Sequence, residues 1–396
     1  MPAFVPPPRT FAGAGQRSAL SRLVDDAADV HVVTDDGVLS AGVVDAVTDH
    51  VPIEPTVHAE VTANPDRATI RELASRLSDA DLVIGVGGGS PMDATKAACA
   101  FPAFPGRAVD ELDVSPETAL ENPERAIPFV LVPTTAGTGT ETGHWAVVSD
   151  HDHGEKVSLG HPAMRAEAAV LDPELTTSLP PLLTAATGFD VVAHAVESLV
   201  ADGATALTIP YSRHAYAMAT DAIRTASADG DDLAARERLL EASFLAGVAM
   251  NNAGLGAVHA ISHAIGGRHD LPHGHTNAAL LPAVVRRNGD RSPRARERYT
   301  SLTATTAPAH LTLADRLRRL RTDVGLDGLP TDGPEDWAWD DVAAFAVDNV
   351  NMETNPVAYD EADVVELCRR AFRNHSSDVD RSLRNHRRTF EPDPIK

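Results

Sequence analysis

Residues 80–100 read ADLVIGVGGGSPMDATKAACA. Leu82 to Val86 is a short apolar run of strand type, Gly87-Gly88-Gly89 interrupts it, and a helical run from Ala94 to Ala100 follows. Glycines let the backbone approach an anionic group closely, and the amides and dipole of a helix N-terminus favour phosphate there. Within this stretch Ser90 reads as N-cap, Pro91 as the first helical residue and Asp93 as the acidic third of a capping box. Strand, glycine loop and helix in that order predict a parallel sheet covered by helices.

The pattern recurs on both sides. Val30 begins VHVVTDD, a β-branched run that ends at Asp35-Asp36, and Thr69 to Leu77 has helical spacing. Ile127 to Val132 and Ala168 to Leu171 read as later strands. The first of these runs into Pro133-Thr-Thr-Ala-Gly-Thr-Gly-Thr-Glu141, a loop dense in hydroxyls and glycine at the strand edge where open parallel sheets bind ligands. After Pro180-Pro181 the character changes. Pro210–Ser227, Asp231–Met250, Ala309–Thr322 and Tyr359–Phe372 are periodic helical stretches, so two domains are expected, residues 1–180 and 181–396. The tail 373–396 is polar, Arg-rich and expected to be a surface extension.

The chain carries 57 acidic against 34 basic residues, a net charge of −23, which makes nucleic acid a poor partner. Only Lys96, Lys156 and Lys396 are lysines. Such an acidic, lysine-poor surface reads as adaptation to a salty cytoplasm, where screening relieves self-repulsion. The first residues lack a basic stretch followed by an apolar one, and no apolar run approaches the roughly 20 residues that span a bilayer. A cytoplasmic protein without a membrane partner is expected. Cys99 and Cys368 are too few for a disulfide framework and read as packed thiols.

Residues 254–275, GLGAVHAISHAIGGRHDLPHGH, place His259, His263, His269, His273 and His275 among Ala, Gly, Ile and Leu. His259 and His263 share one helix face, Gly266-Gly267 is a candidate stop, and His273 would return from a loop. Upstream, GFDVVAHAVES puts Asp190 and His194 at the same i, i+4 spacing, with Glu197 read as a solvated position. Imidazoles and a carboxylate suit a borderline divalent ion, Fe²⁺ or Zn²⁺, better than Ca²⁺ or Mg²⁺. Spacing alone favours His259 and His263 as the ligand pair.

These two boxes, with the rest of the chain from about Asp35 to Pro356, resemble the iron-containing (group III) alcohol dehydrogenase family. The resemblance implies an α/β N-terminal Rossmann-like domain plus an all-α C-terminal domain, the dehydroquinate synthase-like fold. It implies Asp190, His194, His259 and His273 as metal ligands, and His263 as a non-ligand beside nicotinamide and substrate, our candidate proton relay. It also implies that Gly87, Gly88, Gly89, Ser90 and Asp93 meet the pyrophosphate, with Thr134, Thr135, Thr138, Thr140 and Lys156 lining the rest of the cofactor site. The expected reaction is hydride transfer between a small alcohol and its aldehyde or ketone, with the ion as Lewis acid. Gly143-His144-Trp145 departs from common members, so no relative's substrate preference is carried over.

Asp35, at the end of the second strand, is suited to accept from the adenosine ribose hydroxyls and would repel a 2′-phosphate, favouring NAD over NADP. Asp35-Asp36-Gly37 is equally good turn chemistry. A homodimer is the expected assembly. Two rival functions remain at this point: a lyase or cyclase of the dehydroquinate synthase type, and a non-catalytic metal- or nucleotide-binding protein.

Overall fold

The computed structural model describes residues 4–104, 126–150, 155–269, 271–303, 308–327 and 338–372, so the 373–396 tail lies outside the described residues. Six strands form one parallel sheet: β1 (Arg9–Ala12), β2 (Val30–Val33), β3 (Thr56–His58), β4 (Leu82–Gly87), β5 (Phe129–Pro133) and β8 (Ala168–Leu171), in the order β1-β8-β5-β4-β2-β3. β2, β4, β5 and β8 are buried along their whole length, which is why, His31 of β2 apart, they are apolar rather than alternating. From β2 the chain steps outward to β3, then returns to the other side of β2 for β4 and moves on to β5 and β8. The reversal lies between β2 and β4. It opens a crevice at their C-terminal ends, where the glycine loop begins.

Two strands at the sheet edges and one separate hairpin depart from the sequence expectation. β1 and β3 carry no apolar run because they are edge strands, β1 with no fully buried residue and β3 with only His58 buried. Trp145–Asp150 (β6) and Glu155–Gly160 (β7) pair as an antiparallel hairpin. Gly160 lies under the Trp145 ring, where a Cβ would come within 2.4 Å of the indole.

From Pro181 onward the described residues are helical. Pro181–Val200 is the central helix of this half, packed between Ile209–Ala228, Leu233–Ala253 and His273–Arg291. It is long and apolar enough to cross a bilayer, yet 89% of its apolar window is buried inside the protein, as befits a core helix. Helices also cover Ala309–Asp323 and 361–372, where periodicity expected them.

The Gly266-Gly267 stop is not used. The helix Ala257–His269 runs through both glycines, and His273 is the first residue of the helix His273–Arg291 rather than part of a loop. Glycine weakens a helix by only about 1 kcal/mol, which tertiary packing overrides. Gly266 lies beside Lys156, whose Nζ would be in ordinary contact, 3.6 Å, with an added Cβ.

Candidate active site

The glycine loop and the threonine loop interlock. Gly87 has φ +150°, and a Cβ there would meet Pro91 at 2.7 Å, so the turn requires glycine. Gly89 lies under Thr138, whose methyl would be 2.9 Å from a Cβ, and Gly88 lies under Thr135. Thr134 donates its backbone N–H to the Gly87 carbonyl at 2.9 Å. The helix begins at Gly89 with Gly88 as N-cap, so Ser90 is not the cap. Its hydroxyl instead accepts from the Asn64 N–H at 3.1 Å.

Asn64 was not legible as a site residue. It is the one non-glycine with positive φ among the described residues, a conformation asparagine tolerates, and its side-chain oxygen accepts from Lys156 Nζ at 2.7 Å. One residue thus ties the glycine loop to the lysine expected at the cofactor.

Asp93 and Thr140, both expected at the cofactor, lie one layer beneath the loops. The Thr140 hydroxyl donates to Asp93 Oδ1, and Asp93 Oδ2 accepts from the Val147 N–H at 3.0 Å. Lys96 donates to the Thr140 carbonyl, the Thr140 hydroxyl and the Trp145 carbonyl at 2.6, 2.7 and 2.5 Å. Asp93 is no part of a capping box; burial pushes its carboxyl up, partly offset by Lys96 and Thr140. Burial pulls Lys96 down to about 8.

Asp35 closes the crevice one strand over, where Oδ1 accepts from the Val38 N–H at 2.9 Å and caps the helix Asp36–Ser40. An isolated bridge pairs Asp35 with Glu60, and Glu60 takes Arg76 at 3.0 Å. Although no Arg or Lys lies between Asp35 and Arg67 in sequence, the fold does bring an arginine near. That arginine is engaged by Glu60 and Glu72.

The second cluster lies in the helical half. Asp190 and His194 project from Pro181–Val200, His259 and His263 from Ala257–His269, and His273 opens the next helix. Gly274 allows this packing, because a Cβ there would strike the Ala186 carbonyl at 2.1 Å. Ligand atoms of Asp190, His259 and His273 all lie within 4.8 Å of one another. Asp190 Oδ1 is 3.5 Å from His259 Nε2, 3.6 Å from His273 Nε2 and 3.7 Å from His194 Nε2. His194 stacks on His259 with centroids 4.6 Å apart and stands at the margin of the set. His263 packs edge-on to His259 and tilted against His273, with its Nδ1 buried and unpartnered. His275 is buried and carries no ligand contact among the described residues; the His269 side chain lies outside them.

A tetrahedral site with bonds of about 2.1 Å places its ligand atoms about 3.4 Å apart, close to these separations. The electrostatics agree. Burial opposes charge on His259, but hydrogen bonds to Asp190 and Glu197 lift it to about 9, so an ion binding there must displace a proton from its Nε2. Asp190, despite burial that would raise it, is held well below the usual carboxylate range by His194, His273 and His259. Burial keeps His194 and His273 neutral, at about 4 and about 3, so their nitrogens remain lone-pair donors. The three imidazoles and the carboxylate therefore fit a borderline divalent cation.

Two further residues belong to this cluster. Asn277, one turn after His273, donates Nδ2 to Asp190 Oδ1 at 2.7 Å, with His273 Nε2 at 3.1 Å and His259 Nε2 at 3.4 Å. Acceptors thus converge on a single donor; the available signal was its i, i+4 spacing from His273. Glu197, expected to be solvated, is 3% exposed and contacts His259 Nδ1 at 2.5 Å. A glutamate one turn beyond Asp190 and His194 lies on the face that the helix buries, which corrects that reading.

The description "Iron-containing alcohol dehydrogenase" matches residues 7–173, and "Fe-containing alcohol dehydrogenase family, C-terminal" matches residues 184–372. The 1-propanol dehydrogenase of Citrobacter freundii is 31% identical over 385 residues, covering 93% of this chain and 99% of that one. Long-chain-alcohol dehydrogenase 1 of Geobacillus thermodenitrificans is 36% identical over 289 residues, 70% of this chain and 71% of the relative. A crystal structure of 1,3-propanediol oxidoreductase superposes with a TM-score of 0.86 at 30% identity, covering 94% of this chain and all of the other.

Proposed function

This chain belongs to the iron-containing alcohol dehydrogenase family, and from that premise we propose which of its residues, metal and cofactor carry the reaction. It is a metal-dependent, nicotinamide-linked dehydrogenase acting on a CH–OH group. The ion we place at Asp190, His259 and His273, with His194 as fourth ligand, is Fe²⁺ or Zn²⁺; the donor set suits either. The observation that carries this reading is the convergence of the three ligand atoms within 4.8 Å.

When bound, the ion supplies a Lewis acid for the substrate oxygen, and the nicotinamide takes or returns the hydride. The chain's own residues do the rest. Gly87, Gly88, Gly89 and Ser90 present backbone amides and a hydroxyl to the pyrophosphate at the start of Gly89–Ala100. Thr134, Thr135 and Thr138 line the same crevice; Thr138 Oγ1 is buried without a hydrogen-bond partner, as a group reserved for a ligand would be. Asp93 and Thr140 support that wall from beneath. Lys156 stands between the glycine loop and the histidines. His263 passes the proton, since its Nδ1 has no other partner and its ring lies against His273. NAD is the cofactor we favour, on the carboxylate of Asp35.

We place the enzyme in the cytoplasm, as a homodimer to be tested by light scattering. A panel of small primary and secondary alcohols, followed by NADH absorbance at high salt, tests the function. Net cofactor reduction with at least one of them is the expected result. A lyase that uses nicotinamide transiently would give none, and neither would a binding protein without turnover.

A further inference from the structure

We infer that Glu197 is a positioning residue for the metal centre: it fixes the tautomer and orientation of His259 and couples the ligand to the helix that carries it. The inference rests on the ligand set proposed above and deepens it.

Glu197 follows His194 by three residues and Asp190 by seven, so all three lie on one buried face of Pro181–Val200. Its carboxylate is divided between two tasks. Oε1 accepts from the Val258 N–H at 2.7 Å, while Oε2 accepts weakly from the His259 N–H at 3.4 Å and lies 2.5 Å from His259 Nδ1. Gly256 makes the approach possible, since a Cβ there would stand 2.9 Å from Oε1. An ionised carboxylate only accepts, so Nδ1 must donate to it. Nδ1 thereby keeps its proton, and it is the proton on Nε2, facing Asp190 3.5 Å away, that a metal ion displaces. Partners of this kind commonly set a metal-bound histidine's tautomer and basicity.

A bland alternative exists: Glu197 serves only to cap the helix Ala257–His269. Capping is shared with Asn355, whose Oδ1 accepts from the Ala257 N–H at 3.2 Å and which does not touch His259. The two roles can therefore be separated. In Glu197→Gln the amide oxygen can still accept from Val258, which turns the NH₂ toward Nδ1. That reverses the tautomer and puts a proton on the nitrogen that faces the ion.

The test is Zn²⁺ affinity of apo-protein, measured by competition with a chromogenic chelator, alongside the apo melting temperature. Glu197→Gln should weaken Zn²⁺ binding by about 10- to 100-fold while the apo melting temperature holds. Asn355→Ala should lower the melting temperature and leave the affinity alone. Unchanged affinity in Glu197→Gln, or equal weakening in Asn355→Ala, overturns the assignment. Should Glu197→Gln not fold, nitrogen-15 NMR of the Zn²⁺-loaded wild type decides: a protonated Nδ1 on His259 supports the inference and a protonated Nε2 overturns it. Wild type that takes up no Zn²⁺ would overturn the ligand set as well, whereas a binding wild type with an equally tight Glu197→Gln sinks only the role of Glu197.

Discussion

Two buried polar clusters border the crevice, and they are built in opposite ways. Around Lys96 every donor has an acceptor: the ammonium spends its hydrogens on two carbonyls and a hydroxyl, that hydroxyl goes on to Asp93, and Asp93 takes the Val147 N–H. Glu141 is the loose end beside it, with Oε1 unpartnered and its carboxyl pushed up to about 7 by burial. Around Asp190 the balance is reversed. Ring nitrogens and a carboxylate oxygen outnumber the donors aimed at them, and one amide of Asn277 faces three acceptors. A closed network holds loops together; an open one offers ligand atoms that could hold a cation. Burial alone does not distinguish them, since Lys96 and Asp190 are both almost wholly buried.

The largest expected effect comes from breaking the open cluster. Asp190→Ala and His259→Ala should lose bound metal and turnover together, while His263→Ala should keep the metal and slow turnover by roughly 10²- to 10⁴-fold, the scale of a lost proton-transfer group. Metal content by plasma emission, read beside initial rates, checks both. If a ligand variant kept its ion, or His263→Ala lost it, the division between ligands and proton relay would fall.

Breaking the closed cluster should cost stability rather than metal. Lys96→Met leaves two carbonyls and the carboxylate of Asp93 without their cation, at about 3–5 kcal/mol. Arginine replaces lysine nearly everywhere else in this chain, yet a guanidinium is larger and planar, and Lys96 is fully enclosed. Lys96→Arg should therefore be no rescue. Denaturant midpoints of the two variants, with metal content unchanged, are the measurement; loss of metal in Lys96→Met with normal stability would mean the clusters are not separate devices.

How much of this was legible depends on whether a residue's job is local. The strand Leu82–Gly87 and its glycines announce themselves through a continuous apolar run and a turn that only glycine can make. Asp190 with His194, and His259 with His263, are visible as i, i+4 pairs. Periodicity pairs His259 with His263, whereas the ligand atoms that converge with His259 and Asp190 include His273, which spacing does not encode. Glu197 could not be told from a solvated glutamate, as the helix that buries it is apolar on most faces. Asp93 occupies the third position of what looks like a capping box, and only the fold shows it turned toward Thr140. β1 and β3 were invisible because edge strands bury too little to need an apolar run.

Salt sharpens the contrast from outside. With 57 acids against 34 bases the surface repels itself, and at 1 M salt the Debye length falls to about 3 Å. Screening reaches exposed charge and not the enclosed clusters. Molar KCl should raise the melting temperature of wild type and of Lys96→Met by similar amounts, leaving the gap between them in place. A wild-type midpoint that stays flat or falls between low and molar salt would remove the argument from surface charge.

The smallest effect concerns a carboxylate that is half closed. Asp35 Oδ1 caps the helix Asp36–Ser40 through Val38, which leaves Oδ2 for a ribose hydroxyl at the crevice between β2 and β4. Turn chemistry and cofactor recognition are therefore compatible at this residue, one for each oxygen. Asp36 is exposed beside it, Glu60 is bridged to it, and the arginine brought near by the fold is held by Glu60 and Glu72, so the local field stays negative. A 2′-phosphate would meet that charge. Serine at this position keeps a capping oxygen but removes the charge, so Asp35→Ser should retain stability while shifting the ratio of kcat/KM for NADP over NAD upward by roughly tenfold, about 1.4 kcal/mol. Molar salt should narrow the shift, because this carboxylate, unlike Asp93 or Asp190, is within reach of screening. NADP as the better cofactor of the unmodified enzyme would leave Asp35 with its cap alone.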